Sequence, residues 1–217
     1  MVTYMRFNKI RDQPAEITPA KARLIARLKA DGSTFSYGTN YWLKFDSKNQ
    51  QILDEFSRDI EEVYGLKTKE EFKRSGKNPS RILKHVYVRS KLAFDDMQKY
   101  GPFYSENWRV PVRIKESSRE IKIEFLRIFA EDEGSILIGD REVRIYSINE
   151  VGLGQLAELL KEFGIETKMK IGYGLKRNVF GLIIRGKENL TKFRDTIGFE
   201  SETKKKKLND LISLFKH

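Results

Sequence analysis

The stretches Leu28–Phe35 (LKADGSTF) and Ala130–Leu137 (AEDEGSIL) decide the fold, because one is a variant of the other. Both run into an acid–Gly–Ser ending, at Asp31-Gly32-Ser33 and at Glu133-Gly134-Ser135, 102 positions apart. The correspondence continues. Lys44–Asn49 (KFDSKN) matches Arg144–Asn149 (RIYSIN) at an offset of 100, and Val88–Lys91 (VRSK) matches Ile184–Lys187 (IRGK) at 96. Self-similarity at about half the chain length is the mark of an internal duplication. The slow drift in offset is what loop insertions and deletions leave behind.

Each half then shows the same order of elements. In the first, Thr18 is a good N-cap and Pro19 a good first helical residue, and Gly32 is expected to end the helix as C′. In the second, Ser117 and Glu120 form a capping-box pattern and Gly134 plays the part of Gly32. Strands follow: Tyr41, Leu43 and Phe45 alternate with Asn40, Trp42 and Lys44, and Val143 and Ile145 alternate with Arg144 and Tyr146. Amphipathic helices come next, on Ile52, Leu53, Phe56, Ile60 and Val63, and on Leu153, Leu156, Leu160 and Phe163. Two more strands and a helix close each half. An extra helix carries Leu208, Leu211, Ile212 and Phe215 at i, i+3, i+4, i+7. The expected class is α+β: two pseudo-symmetric αββαββα repeats whose antiparallel sheets pair into a saddle, with the two motif helices packed at its centre. The expected boundaries are 1–102 for the first repeat, 103–118 for a linker, and 119–217 for the second repeat with its extra helix.

Composition narrows the chemistry. The chain of 217 residues has 42 Lys+Arg against 31 Asp+Glu, a net charge of +11 and a pI near 9.6. There is no cysteine, which excludes disulfides, thiolate catalysis and cysteine-bound metals. Only His85 and His217 are present, too few for a histidine metal cluster and a poor basis for a Ser-His-Asp triad. No apolar run reaches membrane-spanning length, and the N-terminal MVTYMRFNKIRD lacks a signal-peptide core. The expectation is a cytoplasmic protein, away from membranes and at the nucleoid when acting. Its partner is a polyanion, nucleic acid first, with a merely basic enzyme as the plainer alternative.

Counting by two along the strands sharpens that expectation. If the apolar residues face the helices, the other face carries Asn40, Trp42, Lys44, His85, Tyr87, Arg89, Arg144, Tyr146, Lys168, Lys170 and Arg185. A hairpin from Ile171 to Asn178 adds Lys176 and Arg177 at its tip. Cationic, hydrogen-bonding and stacking groups on one face suit strands laid in a DNA major groove. The alternative is an ordinary wetted sheet face. The run Lys204–Lys207 reads as the solvated start of the last helix.

Asp31 and Glu133 stand where a helix end prefers cations. A bound hard cation removes the conflict, since a carboxylate and exposed carbonyls suit it. Two such ends brought together are where a pair of scissile phosphates can be clamped by metal. For either acid–Gly pair taken singly, a plain turn is the simpler reading. Ala22, Ala26 and Ala30 add a small-residue stripe that permits close backbone approach.

At these residues the chain resembles the LAGLIDADG homing endonucleases. Leu24–Gly32 (LIARLKADG) matches the nine-residue motif, and Leu126–Gly134 (LRIFAEDEG) is similar to the variant that ends in Glu-Gly-Ser. Ile197–Ser201 (IGFES), followed by a lysine-rich helix, resembles the family's closing segment. Lys29, Ile128 and Asp132 depart from the usual pattern. The resemblance implies a monomeric, two-repeat enzyme that cuts double-stranded DNA at a long, nearly asymmetric site and leaves short 3′ overhangs. It implies Mg²⁺, with Mn²⁺ as a substitute, held by Asp31 and Glu133, with Asp132 as a lesser candidate. It also implies basic residues beside each scissile phosphate, for which repeat position names Lys91 and Lys187, flanked by Arg89 and Arg185. Ser47 and Ser147 are weaker candidates for groups behind them. An RNA-splicing maturase acting on intron RNA, and a DNA-binding protein that has lost cleavage, remain alternatives. The survival of both acids speaks against the second.

Overall fold

The computed structural model describes residues 17–75 and 78–215; the N-terminal MVTYMRFNKIRD and His217 lie outside the described residues. The chain divides into two units, Met1–Phe103 and Tyr104–His217. Each repeats one order of elements around a four-stranded antiparallel sheet.

In the first unit α1 (Pro19–Ala30) leads into β1 (Gly32–Tyr37), β2 (Asn40–Ser47), α2 (Gln50–Tyr64), β3 (Lys69–Ser75), β4 (Asn78–Arg89) and α3 (Lys91–Gln98), with strand order β1-β2-β4-β3. In the second, a single turn α4 (Val112–Lys115) precedes α5 (Arg119–Glu133), β5 (Gly134–Leu137), β6 (Glu142–Ser147), α6 (Glu150–Glu162), β7 (Lys168–Tyr173), β8 (Val179–Arg185), α7 (Lys187–Thr196) and α8 (Glu202–Ser213), with strand order β5-β6-β8-β7. Both sheets therefore follow one topology. No described helix is long and apolar enough to cross a membrane.

Local chemistry explains the boundaries. The Thr18 hydroxyl accepts from the Lys21 N–H at 3.3 Å, capping α1. The matched segments KFDSKN and RIYSIN have one job. In each, the serine hydroxyl (Ser47, Ser147) accepts from the N–H of the asparagine two residues on, at 3.1 Å. Asn49 and Asn149 in turn cap α2 and α6, accepting from Gln51 N and Gly152 N. Ser47 and Ser147 are thus turn-formers that start a helix.

One expected cap, the capping box at the start of α5, is absent. Ser117 donates its hydroxyl to Arg113 O, Ser118 is the N-cap residue, and no side-chain cap bond forms at that end of α5. Gly32 does stand at C′ of α1 and Gly134 does end α5, but neither has a positive φ. Asp31 is the C-cap of α1, and Gly134 is extended at φ −90°. The glycines are required by proximity. A Cβ on Gly32 would sit 2.7 Å from the Leu28 Cα, and one on Gly134 would sit 2.2 Å from the Ala130 carbonyl oxygen. Strand and helix meet so closely that only hydrogen fits.

The cores lie between each sheet and its helices. Leu43, Phe45, Val86 and Val88 pack beneath α1 and α2 with Leu24, Leu28, Phe56 and Ile60, all buried. Val143, Ile145, Leu182 and Ile184 do the same with Phe125, Phe129, Leu153 and Leu156. The segment expected as a linker is part of this second core. Trp108 is buried, packs against Phe129 and donates its indole N–H to Ser147. Its ring also lies where a Cβ on Gly152 would approach within 2.7 Å, so Gly152 is what lets α6 accept the indole.

Candidate functional site

The period-two reading of the strand faces holds. In the first sheet Trp42 pairs with Arg89, Lys44 with Tyr87 and Asp46 with His85, placing them on one face with Asn40. In the second, Glu142 pairs with Arg185, Arg144 lies on the rung shared by Ile183 and Lys168, and Tyr146 on the rung shared by Gly181 and Lys170. Lys176 and Arg177 are exposed in the β7–β8 turn, Arg177 at φ +53°. The structure brings these expected side chains together within each sheet.

What periodicity could not supply is the counter-charge. Asp46, Glu71 and Glu142 lie on the same faces, as the register requires. Lys44 pairs with Asp46 at 3.1 Å. The Tyr87 hydroxyl donates to Glu71 at 2.5 Å, holding the Glu71 carboxyl below its usual range and raising the Tyr87 phenol. His85 Nε2 lies 3.5 Å from the same carboxylate. Arg89 lies over Trp42, which is itself stacked on Phe35. Arg144 bonds Glu142, Asp140 and the Tyr146 hydroxyl. Burial opposes its charge, the carboxylate and hydroxyl bonds override that, and the guanidinium titrates above its ordinary range. Arg144 is a buttress of the face, with 12% of its side chain exposed. Lys168 and Lys170 stand exposed. Above this second face lies a groove of about 610 Å³ lined by Arg144, Lys168, Lys170, Tyr173 and Arg185 among others.

The acids stand at the ends of α1 and α5. Asp31 is exposed and Glu133 half-buried, each one residue before the first strand of its sheet. Around Glu133 the helix end is already met by a cation. Lys204 bonds the Glu131 and Gly134 carbonyls, and the Glu131 carboxylate accepts from Glu200 N and Ser201 N. Lys204 is therefore a helix-end partner and not part of a solvated run, and it answers the dipole conflict that Glu133 poses. Lys205 to Lys207 are exposed. In α1, Lys29 is 1% exposed, donates to Tyr100 O and Pro102 O at 2.7 and 2.9 Å, and lies over the Phe103 ring. Burial pulls its ammonium down to about 7. The residue that departs from the family motif thus ties α1 to the end of its own unit.

Within each unit, Lys91 and Lys187 do not lie beside that unit's motif acid. Gly32 begins β1, and Lys91 opens α3 at the other end of that sheet, where its ammonium lies 5.4 Å from the Tyr41 ring centroid. Tyr41 pairs with Ser36, four residues beyond Gly32, or roughly 13 Å along the strand. Lys91 is also paired with Asp95. Lys187 follows Arg185, whose partner Glu142 pairs with Leu137 at the far end of β5 from Glu133. The cations on the rungs next to the acids are Lys44, opposite Ser33, and Arg144, opposite Ser135. Counting register from the motif acid through its hairpin finds them; repeat offset alone does not.

The acids have the chemistry of a hard-cation site. Among the described residues no three His, Cys, Asp or Glu side chains cluster as a metal cage. A single carboxylate at a helix end suits an ion that keeps much of its water and takes its other ligands from phosphate, as Mg²⁺ does.

Comparison with known proteins agrees with this anatomy. A family model described as a LAGLIDADG-like domain matches residues 120–198. The homing endonuclease I-ApeI of Aeropyrum pernix is 26% identical over 191 residues, 84% of this chain and 82% of its own length. Among solved structures, I-DmoI in complex with DNA and Mn superimposes with a TM-score of 0.64 at 18% identity, covering 84% of this chain and 98% of that one. I-WcaI bound to its DNA recognition sequence superimposes at 0.67 and 12% identity, covering 93% and 91%. I-DmoI has also been solved with Mg and with Ca. Two copies of one topology each open on a helix that ends in an acid and a sterically required glycine; residues 120–198 match the LAGLIDADG-like domain, and the chain as a whole is similar to a homing endonuclease and shares the fold of I-DmoI and I-WcaI.

Proposed function

We propose that the protein is a site-specific endonuclease that hydrolyses both strands of duplex DNA at a long, nearly asymmetric target and leaves short 3′ overhangs. The observation that carries this reading is the pairing, in each repeat, of an acid at a helix end with a basic and aromatic sheet face on the adjoining strands. The two faces bind the duplex: Lys168, Lys170, Lys176 and Arg177 neutralise phosphates, while Trp42, Arg89 and Arg185 reach toward base edges. Such a face fixes the register of the DNA, so that position along the duplex, and not reactivity, selects the bond cut.

Asp31 and Glu133 are the groups we assign to hold a divalent cation, Mg²⁺ with Mn²⁺ as a substitute. When bound, the ion supplies an activated water and stabilises the leaving oxygen. The chain's own contribution is placement. The close helix–strand contact at Gly32 and Gly134 fixes where each helix end meets its strand, and Lys204 bonds the carbonyls at the end of α5. Lys44 and Arg144 set the local potential on the neighbouring rungs. One copy of the chain carries both acids, so it is proposed to act as a monomer, inside the cell and on chromosomal DNA.

The test is cleavage of a DNA library with Mg²⁺, with the cut products sequenced. Asp31→Asn and Glu133→Gln should each lower cleavage at least ~10²-fold and leave DNA affinity within a few-fold. Full cleavage by both variants would remove these acids from the chemistry. Tighter binding to structured RNA than to any DNA duplex would move the reading to a splicing maturase.

A further inference from the structure

At one rung the two sheets differ. The position that carries Trp42 in the first unit carries Glu142 in the second, at the repeat's own offset of 100. Each faces an arginine across the ladder, Arg89 and Arg185 respectively. In the first unit Arg89 rests on aromatic faces, 5.3 Å from Trp42 and 5.4 Å from Tyr87. In the second, Glu142 is completely buried at the end of the polar face where β6 begins. Its Oε1 bonds Arg144 and its Oε2 lies 2.7 Å from Arg185 Nη2, which also donates to Asp140 O at 3.3 Å. Arg144 is held further by Asp140, Tyr146 and the Tyr173 ring. Arg185, by contrast, keeps 63% of its side chain exposed.

A buried carboxylate persists only when its oxygens are bonded, and both oxygens of Glu142 go to guanidiniums. The charges also cancel: Asp140 and Glu142 offset Arg144 and Arg185. Phosphate binding scales with uncompensated positive charge, so this cluster is a weak phosphate anchor. What Glu142 supplies is direction. One edge of the Arg185 guanidinium is fixed from below, and its remaining donors are left at the exposed surface. A fixed guanidinium fork matches the N7 and O6 acceptors of guanine in the major groove.

We infer that Glu142 is a positioning residue that holds Arg185 as a guanine reader, so that the second repeat reads a G·C pair where the first presents a cation backed by Trp42. The inference rests on the proposed reading that these faces contact duplex DNA.

The test uses the full chain and a randomised duplex library. Bound DNA is sequenced, and affinities are then measured on the selected duplex and its single-base variants at several salt concentrations. The wild type should prefer guanine at one position. Arg185→Ala should lose that preference by roughly 5- to 150-fold, and Glu142→Gln should relax the same position and no other. The double variant should match Arg185→Ala, because Glu142 acts through that arginine. The slope of log affinity against log salt should change by less than ~0.5 for Arg185→Ala, whereas Lys168→Ala and Lys170→Ala should each lower it by about 0.9 with base preference intact. If Glu142→Gln fails to fold by thermal melting, Arg185→Ala decides alone, since its side chain is exposed. Unchanged base preference in Arg185→Ala, with a salt slope reduced by about one, makes Arg185 a phosphate contact and overturns the inference. A wild-type chain that enriches no sequence refutes the DNA reading itself, and the inference falls with it.

Discussion

Replacing Gly134 by alanine tests whether steric contact, and not backbone freedom, places Glu133, the acid proposed to hold the cation. The added Cβ would stand 2.2 Å from the Ala130 carbonyl oxygen, where ordinary contact begins near 3.4 Å. Helix or strand must therefore yield by about 1.2 Å. The obstacle is backbone inside the last turn of α5, so no side-chain rotation relieves it. Overpacking of this kind costs roughly 1–3 kcal/mol, out of the ~5–15 kcal/mol that stabilise a typical domain. The variant should fold with a lower melting temperature. Displacement of Glu133 by about 1 Å should cost cleavage ~10²-fold. Gly32→Ala, with its Cβ 2.7 Å from the Leu28 Cα, should follow the same course more mildly. Gly38→Ala is the control: its φ is +57° but nothing lies within 4 Å, so its cost is the left-handed strain of ~1–2 kcal/mol alone, with cleavage intact. The assay is thermal melting beside strand-resolved cleavage. If Gly134→Ala melts and cuts like the wild type while Gly38→Ala is the more damaged, the helix–strand contact is not what places Glu133.

Other outcomes follow from single contacts. Lys204→Met leaves the Glu131 and Gly134 carbonyls without its ammonium and should lower unfolding stability by about 1–3 kcal/mol, whereas exposed Lys206→Met should stay within ~0.5 kcal/mol in denaturant titrations. Lys29, with a folded pKa of about 7 against 10.5, is a group whose charged form the fold disfavours. Between those values the unfolded chain binds a proton that the folded chain does not. Stability should therefore rise with pH across that window, by at most ~1.4 kcal/mol per pH unit, relative to Lys29→Met; a flat difference between the two would refute it. Asn149→Ala should cost about 1 kcal/mol or more through its lost cap on α6 and its lost bond to Trp108 O, and exceed Asn49→Ala, whose side chain is solvent-exposed.

Much of this protein was legible in residue order. Duplication shows as repeated strings because the two halves need the same local devices. Thr18 and Pro19 start a helix, Ser47-x-Asn49 and Ser147-x-Asn149 turn into one, and alternation in Asn40–Ser47 and Glu142–Ser147 assigns strand faces. These are short-range effects, set by side chains within a turn or a rung of one another. Asp31 and Glu133 stand out for the same reason, as a local anomaly at a helix end.

The tertiary structure decided what lies across the fold. Lys204 reaches α5 from about 70 residues away in the chain, and no local rule distinguishes it from Lys205. The motif glycines read as helix ends in sequence, and they are; what requires glycine there is the approach of a strand to a helix backbone. Lys91 and Lys187 occupy matching places in the two repeats, yet register carries them to the far ends of the sheets, and Lys44 and Arg144 take the rungs beside the acids. Glu142 stands at the start of a strand. Only the pairing of β6 with β8 buries it beneath two arginines and turns a charge count into an orientation. Sequence carries the interactions that a few neighbouring residues complete; the site depends on groups that only pairing and packing bring together.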